Sequence, residues 1–186
     1  MNVRSNSIFD YRFRAPDSAI AGPIRHAKGQ TRVGAVLVAR SSRGVCAIFL
    51  GDDADALRDA LASAFPGVEL IEDRQALQLE LAQVIAFVGG EPVQGKVALD
   101  IGGSAFEQQV WQALCEIPFG ETRSYGDIAR KLDMPDAARG VAGACAANVL
   151  ALAIPCHRVL RSDGTISGYR WGVVRKRALL AAELDA

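Results

Sequence analysis

Apolar and polar residues alternate along the first hundred positions in short stretches, and each stretch predicts one secondary-structure element. The segments 34–41 and 44–51 are rich in β-branched and apolar residues and flank a Ser-Arg-Gly turn, which predicts a β-hairpin. An Asp-Asp pair then offers an N-cap for a helix over 54–65, which a Pro-Gly pair ends. We expect a second helix over 74–88, with one apolar face and a terminal Gly-Gly pair, and a strand over 96–101.

From residue 102 onwards the spacing of apolar residues is typical of helices. Ser104 and Glu107 form a capping box that opens the first of them. Its apolar face comprises Phe106, Val110, Leu114 and Ile117. A short helix over 127–132 and another over 135–147 surround a tight turn, which predicts a helix-turn-helix. The second of these is built mostly of Ala and Gly, so its backbone can closely approach either nucleic acid or another helix.

These elements predict an α+β fold with three parts. Residues 1–30 mix Ser, Asn, Pro and Arg without steady periodicity, so we expect an arm or linker there. Residues 31–101 are predicted to form a small α/β domain, and residues 102–186 an all-α helix-turn-helix domain. Half of the 186 residues are hydrophobic, which is ample for packed cores and excludes global disorder.

The number and spacing of the cysteines and histidines indicate whether the protein binds a metal and which cellular compartment it occupies. The four cysteines show no C-x-x-C spacing and the chain has only two histidines, so we expect no metal and no cofactor. No apolar run approaches the roughly 18–20 residues that span a bilayer. No apolar segment follows the basic amino terminus, as a secretory signal would require. We therefore expect a cytoplasmic protein with reduced thiols and no membrane segment.

The formal net charge is zero, but the charges are unevenly distributed. From Arg139 to the end there are seven basic residues against three acidic ones. This local surplus of four fits a surface that follows a phosphate backbone. It also fits an ordinary solvated surface, and charge alone favours that second interpretation.

The segment 154–159, Ile-Pro-Cys-His-Arg-Val, places a thiol beside an imidazole. A thiol reacts as the thiolate and an imidazole can take its proton, so Cys156 and His157 are a candidate nucleophile and base. Adjacent residues of an extended chain point to opposite sides, so the pair needs a sharp turn at Pro155 or a bridging water. Glu183 is an acidic candidate for fixing the imidazole tautomer. A buried thiol beside a structural histidine would explain the same residues without catalysis.

A turn at 161–164 and a glycine-punctuated loop at 167–172 follow this segment. The loop carries Tyr169 and Trp171, and it can wall a flat pocket with exposed backbone donors and acceptors. A purine fits such a pocket, as do many other ligands. The residues alone therefore indicate a candidate thiol nucleophile, a loop-walled pocket and a helix-turn-helix.

These segments resemble the O6-alkylguanine-DNA alkyltransferase family, in particular the C-terminal domain of the bacterial adaptive-response protein. The matching stretches cover nearly all of residues 104–183 in order; they are 106–129, 137–148, 154–159, 163–172 and 175–183. A weaker likeness covers residues 34–100. The resemblance implies a ribonuclease H-like first domain and an active-site cysteine in the second. It also implies irreversible, single-turnover transfer of a methyl or alkyl group from O6-alkylguanine in DNA, and leaves O4-alkylthymine open.

The resemblance further implies a role for each matched catalytic position. Cys156 would accept the alkyl group, His157 would act as its base through a water, and Glu183 would orient His157. Asn148 would hold the turn that presents Cys156 through hydrogen bonds to local backbone. Tyr125 would contact N3 of the target base and crowd the flanking phosphate.

A second group of positions would bind DNA and the base. Arg139 would enter the base stack where the flipped nucleotide was, and Ala138 and Gly140 would lie beside it on the helix that approaches the minor groove. Tyr169 would wall the pocket. The guanine edge would be read by the carbonyls of Cys156 and Val159 and the amide of Arg170. The expected partner is double-stranded DNA with the damaged base flipped out, bound by a monomer.

Two features depart from the family pattern. The phosphotriester-repair domain of the adaptive-response protein, with its four zinc-bound cysteines, has no counterpart in the sequence, which puts a transcription-activating role in doubt. Gly140 stands where many relatives have alanine, which loosens the helix by up to about 1 kcal/mol. Three rival functions are a non-catalytic alkyl-lesion sensor, a helix-turn-helix transcription factor and a cysteine hydrolase; Cys156 argues against the sensor, in which the acceptor cysteine is replaced.

Overall fold

The computed structural model describes residues 8–184. Within this range the chain divides into two compact units, residues 8–102 and residues 103–184. Both α-helices and β-strands are present, so the fold class is mixed. None of the helices in residues 8–184 has the length and apolarity to cross a membrane.

The first unit is built on a four-stranded sheet. Its strands are β2 (Ile24–Thr31), β3 (Gly34–Arg40), β4 (Val45–Gly51) and β5 (Leu70–Glu72). They lie in the order β4-β3-β2-β5, with β2, β3 and β4 antiparallel and β5 parallel to β2. The β3–β4 pair confirms the predicted hairpin. Nearly every side chain of these two strands is buried, so this hairpin forms the middle of the core.

Two helices pack on this sheet. Helix α1 (Ala54–Ala64) is capped by Asp53, whose side chain accepts a hydrogen bond from the backbone of Asp55, and packs on β3 and β4. Helix α2 (Gln78–Gly89) packs on β2 and β3 and begins four residues later than expected, because residues 74–77 form a turn after β5. A Cβ atom on Gly29 would lie 3.0 Å from the Ile85 side chain, so the absent side chain allows α2 to approach β2 closely.

The expectation of an arm or linker over residues 1–30 is wrong, because part of the described segment forms β-strands. Residues 24–31 form the inner strand β2, and β1 (Phe9–Asp10) pairs in parallel with β6 (Val97–Ala98), the paired part of the strand expected over 96–101. Ile24 and Ala27 are fully buried, whereas Arg25 points outward into an ion pair. Arg25 and Lys28 lie on opposite faces of this strand, and His26 and Ala27 are both buried, so its apolar residues do not alternate with polar ones. Residues 1–7 of the expected arm lie outside the described residues.

The second unit contains four α-helices. They are α3 (Ala105–Cys115), α4 (Tyr125–Lys131), α5 (Ala138–Ala147) and α6 (Val173–Leu184). The predicted capping box of Ser104 and Glu107 begins α3, and a second box, Ser124 with Asp127, begins α4. Helices α4 and α5 pack together as the helix-turn-helix, and the indole nitrogen of Trp111 donates to the carbonyl of Ala144 to join α3 to α5.

The expectation that this unit is all-α is wrong. Two short strands, β7 (Arg123–Ser124) and β8 (Val159–Leu160), form a parallel pair. Val159 is β-branched and extended, and it follows the single 3-10 turn of Cys156–Arg158 directly. The pair therefore brings the first residue of α4, Tyr125, close to that turn.

Gly103 is a position where the second unit requires glycine. Its φ is +94°, and a Cβ atom there would lie 2.6 Å from the indole ring of Trp111. We expect Gly103→Ala to lower the free energy of unfolding by about 2 kcal/mol or more, through backbone strain and this overlap. Urea denaturation followed by circular dichroism measures it.

The matched control is Gly143→Ala in α5. Gly143 is exposed in the helix interior and a Cβ atom there would meet nothing within 4 Å. It should raise the free energy of unfolding by roughly 0.5–1 kcal/mol. Equal effects of the two substitutions would contradict the assigned role of Gly103.

Candidate active site

Asn148 organises the loop that leads from α5 to Cys156. Its side-chain nitrogen donates to the carbonyl of Ile154 at 3.0 Å and more weakly to that of Leu150 at 3.4 Å. Its side-chain oxygen accepts from the Leu150 backbone at 2.8 Å. Within this loop Leu152 adopts φ +70°, a conformation that a bulky residue takes only under constraint. The fully buried amide thus holds a strained loop in one shape.

A 3-10 turn at Cys156–Arg158 directly follows Pro155, but it does not bring the Cys156 thiol and the His157 ring into a hydrogen bond. The amide of Arg158 donates to the carbonyl of Pro155 at 2.9 Å and closes the turn. The Cys156 sulfur lines a cavity and accepts a hydrogen bond of 3.3 Å from Asn148. The His157 ring instead pairs with Glu183. The two adjacent side chains therefore have different partners: the Cys156 sulfur contacts Asn148, and the His157 ring contacts Glu183.

The carboxylate of Glu183, on α6, is held by three groups. Oε1 is 2.8 Å from Nε2 of His157, the Arg158 guanidinium donates from Nε and Nη2 at 2.9 Å each, and the Gly120 amide donates to Oε2 at 3.0 Å. Burial opposes ionisation, but the hydrogen bonds from His157 and Arg158 outweigh it and lower the pKa of Glu183 to about 2. Glu183 is therefore an anion at neutral pH.

This anion fixes the tautomer of His157. An ionised carboxylate only accepts hydrogen bonds, so Nε2 of the neutral imidazole must carry the proton, and Nδ1 is then the acceptor. Nδ1 is buried without a hydrogen-bond partner among the described residues. Burial lowers the pKa of His157, although Glu183 acts in the opposite direction. The imidazole is thus neutral at neutral pH, with one nitrogen able to take a proton.

The thiol of Cys156 is protonated at neutral pH. Burial raises its pKa to about 11, and this outweighs the hydrogen bond from Asn148 and the charge of Lys176, which both favour the thiolate. The neighbouring Cys145 is buried too, and burial raises its pKa further. Neither thiol is a reactive anion at rest.

A cavity of about 850 Å³ opens in front of the Cys156 sulfur. Six of the positions proposed from the sequence line it: Tyr125, Ala138, Arg139, Cys156, Tyr169 and Arg170. The Tyr169 ring packs edge-on against Trp171, with centroids 5.2 Å apart, and lies 6.4 Å from the ring of His157. One wall is thus aromatic, and the rim carries exposed arginines.

Two of the proposed base- or DNA-binding positions do not line this cavity. Val159 is fully buried, and its carbonyl accepts a hydrogen bond of 2.6 Å from Lys176. Gly140 lies beside Phe106, whose ring would be 3.1 Å from a Cβ atom at residue 140. The absence of a side chain at residue 140 therefore allows α3 and α5 to pack closely.

Sequence reasoning missed three residues of this site. Arg158 is buried against Glu183 and also donates to the Ile117 carbonyl at 2.8 Å. Lys176 and Ser167 are buried and hydrogen-bonded to each other at 3.0 Å. A signal for Lys176 existed, because residues 176 and 183 are seven apart on one helix and share a face. No local pattern distinguishes Arg158 from a surface arginine.

Metal chemistry has no visible ligand set here. Among residues 8–184 no group of three or more His, Cys, Asp or Glu side chains could hold a metal ion. All four cysteines are free thiols.

The family model for the "6-O-methylguanine DNA methyltransferase, DNA binding domain" matches residues 105–184. The chain is 49% identical over 162 residues to the bifunctional transcriptional activator/DNA repair enzyme Ada of Escherichia coli, which covers 87% of this chain and 46% of that protein. It is 39% identical over 122 residues to the inducible methylated-DNA–protein-cysteine methyltransferase of Bacillus subtilis, covering 66% of this chain and 68% of that one. The chain therefore spans about half the length of Ada.

A solved structure gives the same match. The crystal structure of Mycobacterium tuberculosis OGT in complex with DNA resembles this fold with a TM-score of 0.74 at 33% sequence identity. The superposition covers 87% of this chain and 93% of that chain. The likeness thus extends beyond residues 105–184.

The depressed pKa of Glu183 predicts a specific loss of stability in acid. Its folded pKa of about 2 lies below the ordinary value of 4.5, so its stabilisation is complete above pH 4.5 and is lost as the pH falls towards 2. We expect this group to account for on the order of 3 kcal/mol over that interval. Urea denaturation at stepped pH measures the loss.

The comparison uses two glutamine variants. Glu183→Gln should be less stable at neutral pH and should lack this acid-dependent component. Glu121→Gln changes an exposed carboxylate and should follow the wild-type curve. If Glu183→Gln lost stability as steeply as the wild type, the assigned coupling would be wrong.

Proposed function

This chain belongs to the methylated-DNA–protein-cysteine methyltransferase family, and from that premise we propose that it repairs O6-alkylguanine in DNA by taking the alkyl group onto its own Cys156. One observation carries the proposal. The Cys156 thiol lines a cavity, and the next residue is an imidazole held by a buried anion. That arrangement supports nucleophilic chemistry rather than the rival role of a lesion sensor without an acceptor cysteine.

In the proposed reaction the Cys156 thiol gives its proton, through a bridging water, to Nδ1 of His157. The sulfur attacks the alkyl carbon, the S–C bond forms, and the bond from carbon to O6 breaks. The electron pair of that bond stays on the guanine, which takes up a proton and regains its neutral N1–H. Glu183 stabilises the imidazolium that forms in between. A thioether is a poor leaving group, so each chain reacts once.

The cavity supports a planar base as the ligand. Tyr169 and Tyr125 both line the cavity. We assign Tyr169 to an aromatic wall against the base, and the Tyr125 hydroxyl to donation to N3, where negative charge develops as the alkyl group leaves. The Arg170 amide and the Cys156 carbonyl remain candidates for reading the base edge. The Val159 carbonyl has one lone pair engaged by Lys176, so at most its second lone pair can contribute.

Helix α5 is the proposed contact with double-stranded DNA. Its small residues permit a close approach to the minor groove, and Arg139 is exposed on this helix. A base whose O6 substituent is buried in the duplex must be flipped out to reach Cys156, and the Arg139 side chain can fill the space it leaves. We also propose a monomeric, cytoplasmic protein, and a ribonuclease H-like arrangement for residues 31–101.

Alkylation of Cys156 is the direct test of this function. Duplex DNA containing O6-methylguanine, in excess, should add one methyl group per chain, because the thioether does not turn over. Intact-mass spectrometry counts the groups and peptide mapping locates them. Cys156→Ala should bind the same DNA without reacting. Methylation of Cys46, Cys115 or Cys145 instead, or repeated turnover, would overturn the proposal.

Arg139 should act on the duplex rather than on the chemistry. We expect Arg139→Ala to slow repair of duplex DNA by about tenfold or more, because base extrusion costs a few kcal/mol and loses its compensation. Repair of the same lesion in a single strand should change little. Single-turnover rates on both substrates provide the measurement.

Two controls sharpen this comparison. Arg177→Ala removes an exposed arginine from α6 and should affect duplex and single strand alike. A mismatch opposite the lesion lowers the cost of unpairing and should partly restore the Arg139→Ala rate. Equal losses on duplex and single strand would contradict the assignment.

A further inference from the structure

A chain of hydrogen bonds runs from the interior of the second unit to the cavity. The ammonium group of Lys176, fully buried on α6, donates to the Val159 carbonyl at 2.6 Å and to the Ser167 hydroxyl at 3.0 Å. Ser167 is 2.5 Å from the hydroxyl of Tyr125. Ser167 and Tyr125 both line the cavity. Ser167 therefore connects a buried cation to a tyrosine at the proposed base-binding surface.

Either hydroxyl can be the donor in the contact between Ser167 and Tyr125, and one direction of donation follows on from Lys176. A lysine ammonium has donors and no acceptor, so the Ser167 oxygen accepts from Lys176. A hydroxyl has a single hydrogen, which Ser167 can then give to the Tyr125 oxygen. Because the Tyr125 oxygen then accepts a hydrogen bond from Ser167, the hydrogen of the Tyr125 hydroxyl points away from Ser167 and towards the cavity.

The surroundings favour this direction over the reverse one. Lys176 is buried, and its contacts with the Val159 carbonyl and the Ser167 hydroxyl are both with oxygen acceptors. The positive charge of its ammonium group is therefore stabilised by the aligned dipoles of these two groups. Aligned hydroxyls polarise one another in a low-dielectric interior, which strengthens each donor in turn. Tyr125 at the end of such a chain is a better donor than an isolated tyrosine.

We propose that Ser167, backed by Lys176, is a positioning residue that sets the Tyr125 hydroxyl as a hydrogen-bond donor to N3 of the bound alkylguanine. The proposal rests on the function proposed above, and it adds residues for which that function had no role. Ser167 would act in the transfer step rather than in DNA binding, because the charge that Tyr125 stabilises develops only as the alkyl group leaves.

A double-mutant cycle tests this role on the full chain. The variants are Ser167→Ala, Tyr125→Phe and the combination, and the readouts are the limiting single-turnover rate and the DNA concentration at half that rate. We expect Ser167→Ala to lower the limiting rate by about fivefold to tenfold, the range for one lost hydrogen bond, with the half-saturating concentration unchanged. In the Tyr125→Phe background the same change should have no further effect.

A modified substrate supplies an independent readout. In 3-deaza-O6-methylguanine a C–H group replaces N3, so Tyr125 has no acceptor there. Wild type and Ser167→Ala should react with this base at equal rates. A purely structural effect of Ser167 on the cavity would slow both substrates, and it would multiply with the effect of Tyr125→Phe. Either result overturns the proposal.

The control is Ser63→Ala, the same change at an exposed site on α1, which should keep the wild-type rate. Thermal melting checks that each variant is folded. If the wild-type chain transfers no methyl group to Cys156, the proposed function itself fails. If the wild type reacts and Ser167→Ala reacts as fast, only the role of Ser167 fails.

Discussion

The burial of one carboxylate, that of Glu183, is the constraint on which the site depends. A buried anion is costly unless donors surround it, and here the donors come from His157, Arg158 and the Gly120 backbone. These groups belong to the 3-10 turn and to the segment after α3, so satisfying the anion fixes both against α6. The same contacts leave His157 neutral with an accepting Nδ1. The hydrogen bonds that stabilise the buried carboxylate of Glu183 are therefore the same ones that prepare His157 for its proposed role as a base.

Helix α6 makes a second fixed contact with the same segment. Lys176 lies seven residues before Glu183, on the same face of the helix, and binds the Val159 carbonyl just after the 3-10 turn. One helix thus holds the three residues that directly follow Cys156, with Glu183 bound to His157 and Arg158 and Lys176 bound to Val159. Cys156 therefore lies between this fixed segment and the strained loop that Asn148 holds.

Sequence reasoning succeeded where local patterns decide the structure. The β3–β4 hairpin and the capping box at Ser104 depend on neighbouring residues, and both are confirmed. It failed for strand β2, because both faces of this strand contain a charged residue and its apolar residues do not alternate with polar ones. In the site, Cys156, His157 and Glu183 were candidates from the residues themselves, and the family resemblance then gave each of them a specific role. Arg158 was missed, because a charged residue is assigned to the surface until a partner distant in sequence is known.

The resting state of the site has a consequence for selectivity. The thiol of Cys156 has a pKa of about 11, and burial lowers that of His157, so moving the proton between them is unfavourable before a base enters. The thiolate must then be stabilised by whatever occupies the cavity, together with Asn148 and the charge of Lys176. In the proposed reaction Cys156 is used only once, and a protonated resting thiol protects it from other electrophiles. The thiol would become reactive only when a base that also contacts Tyr125 enters the cavity.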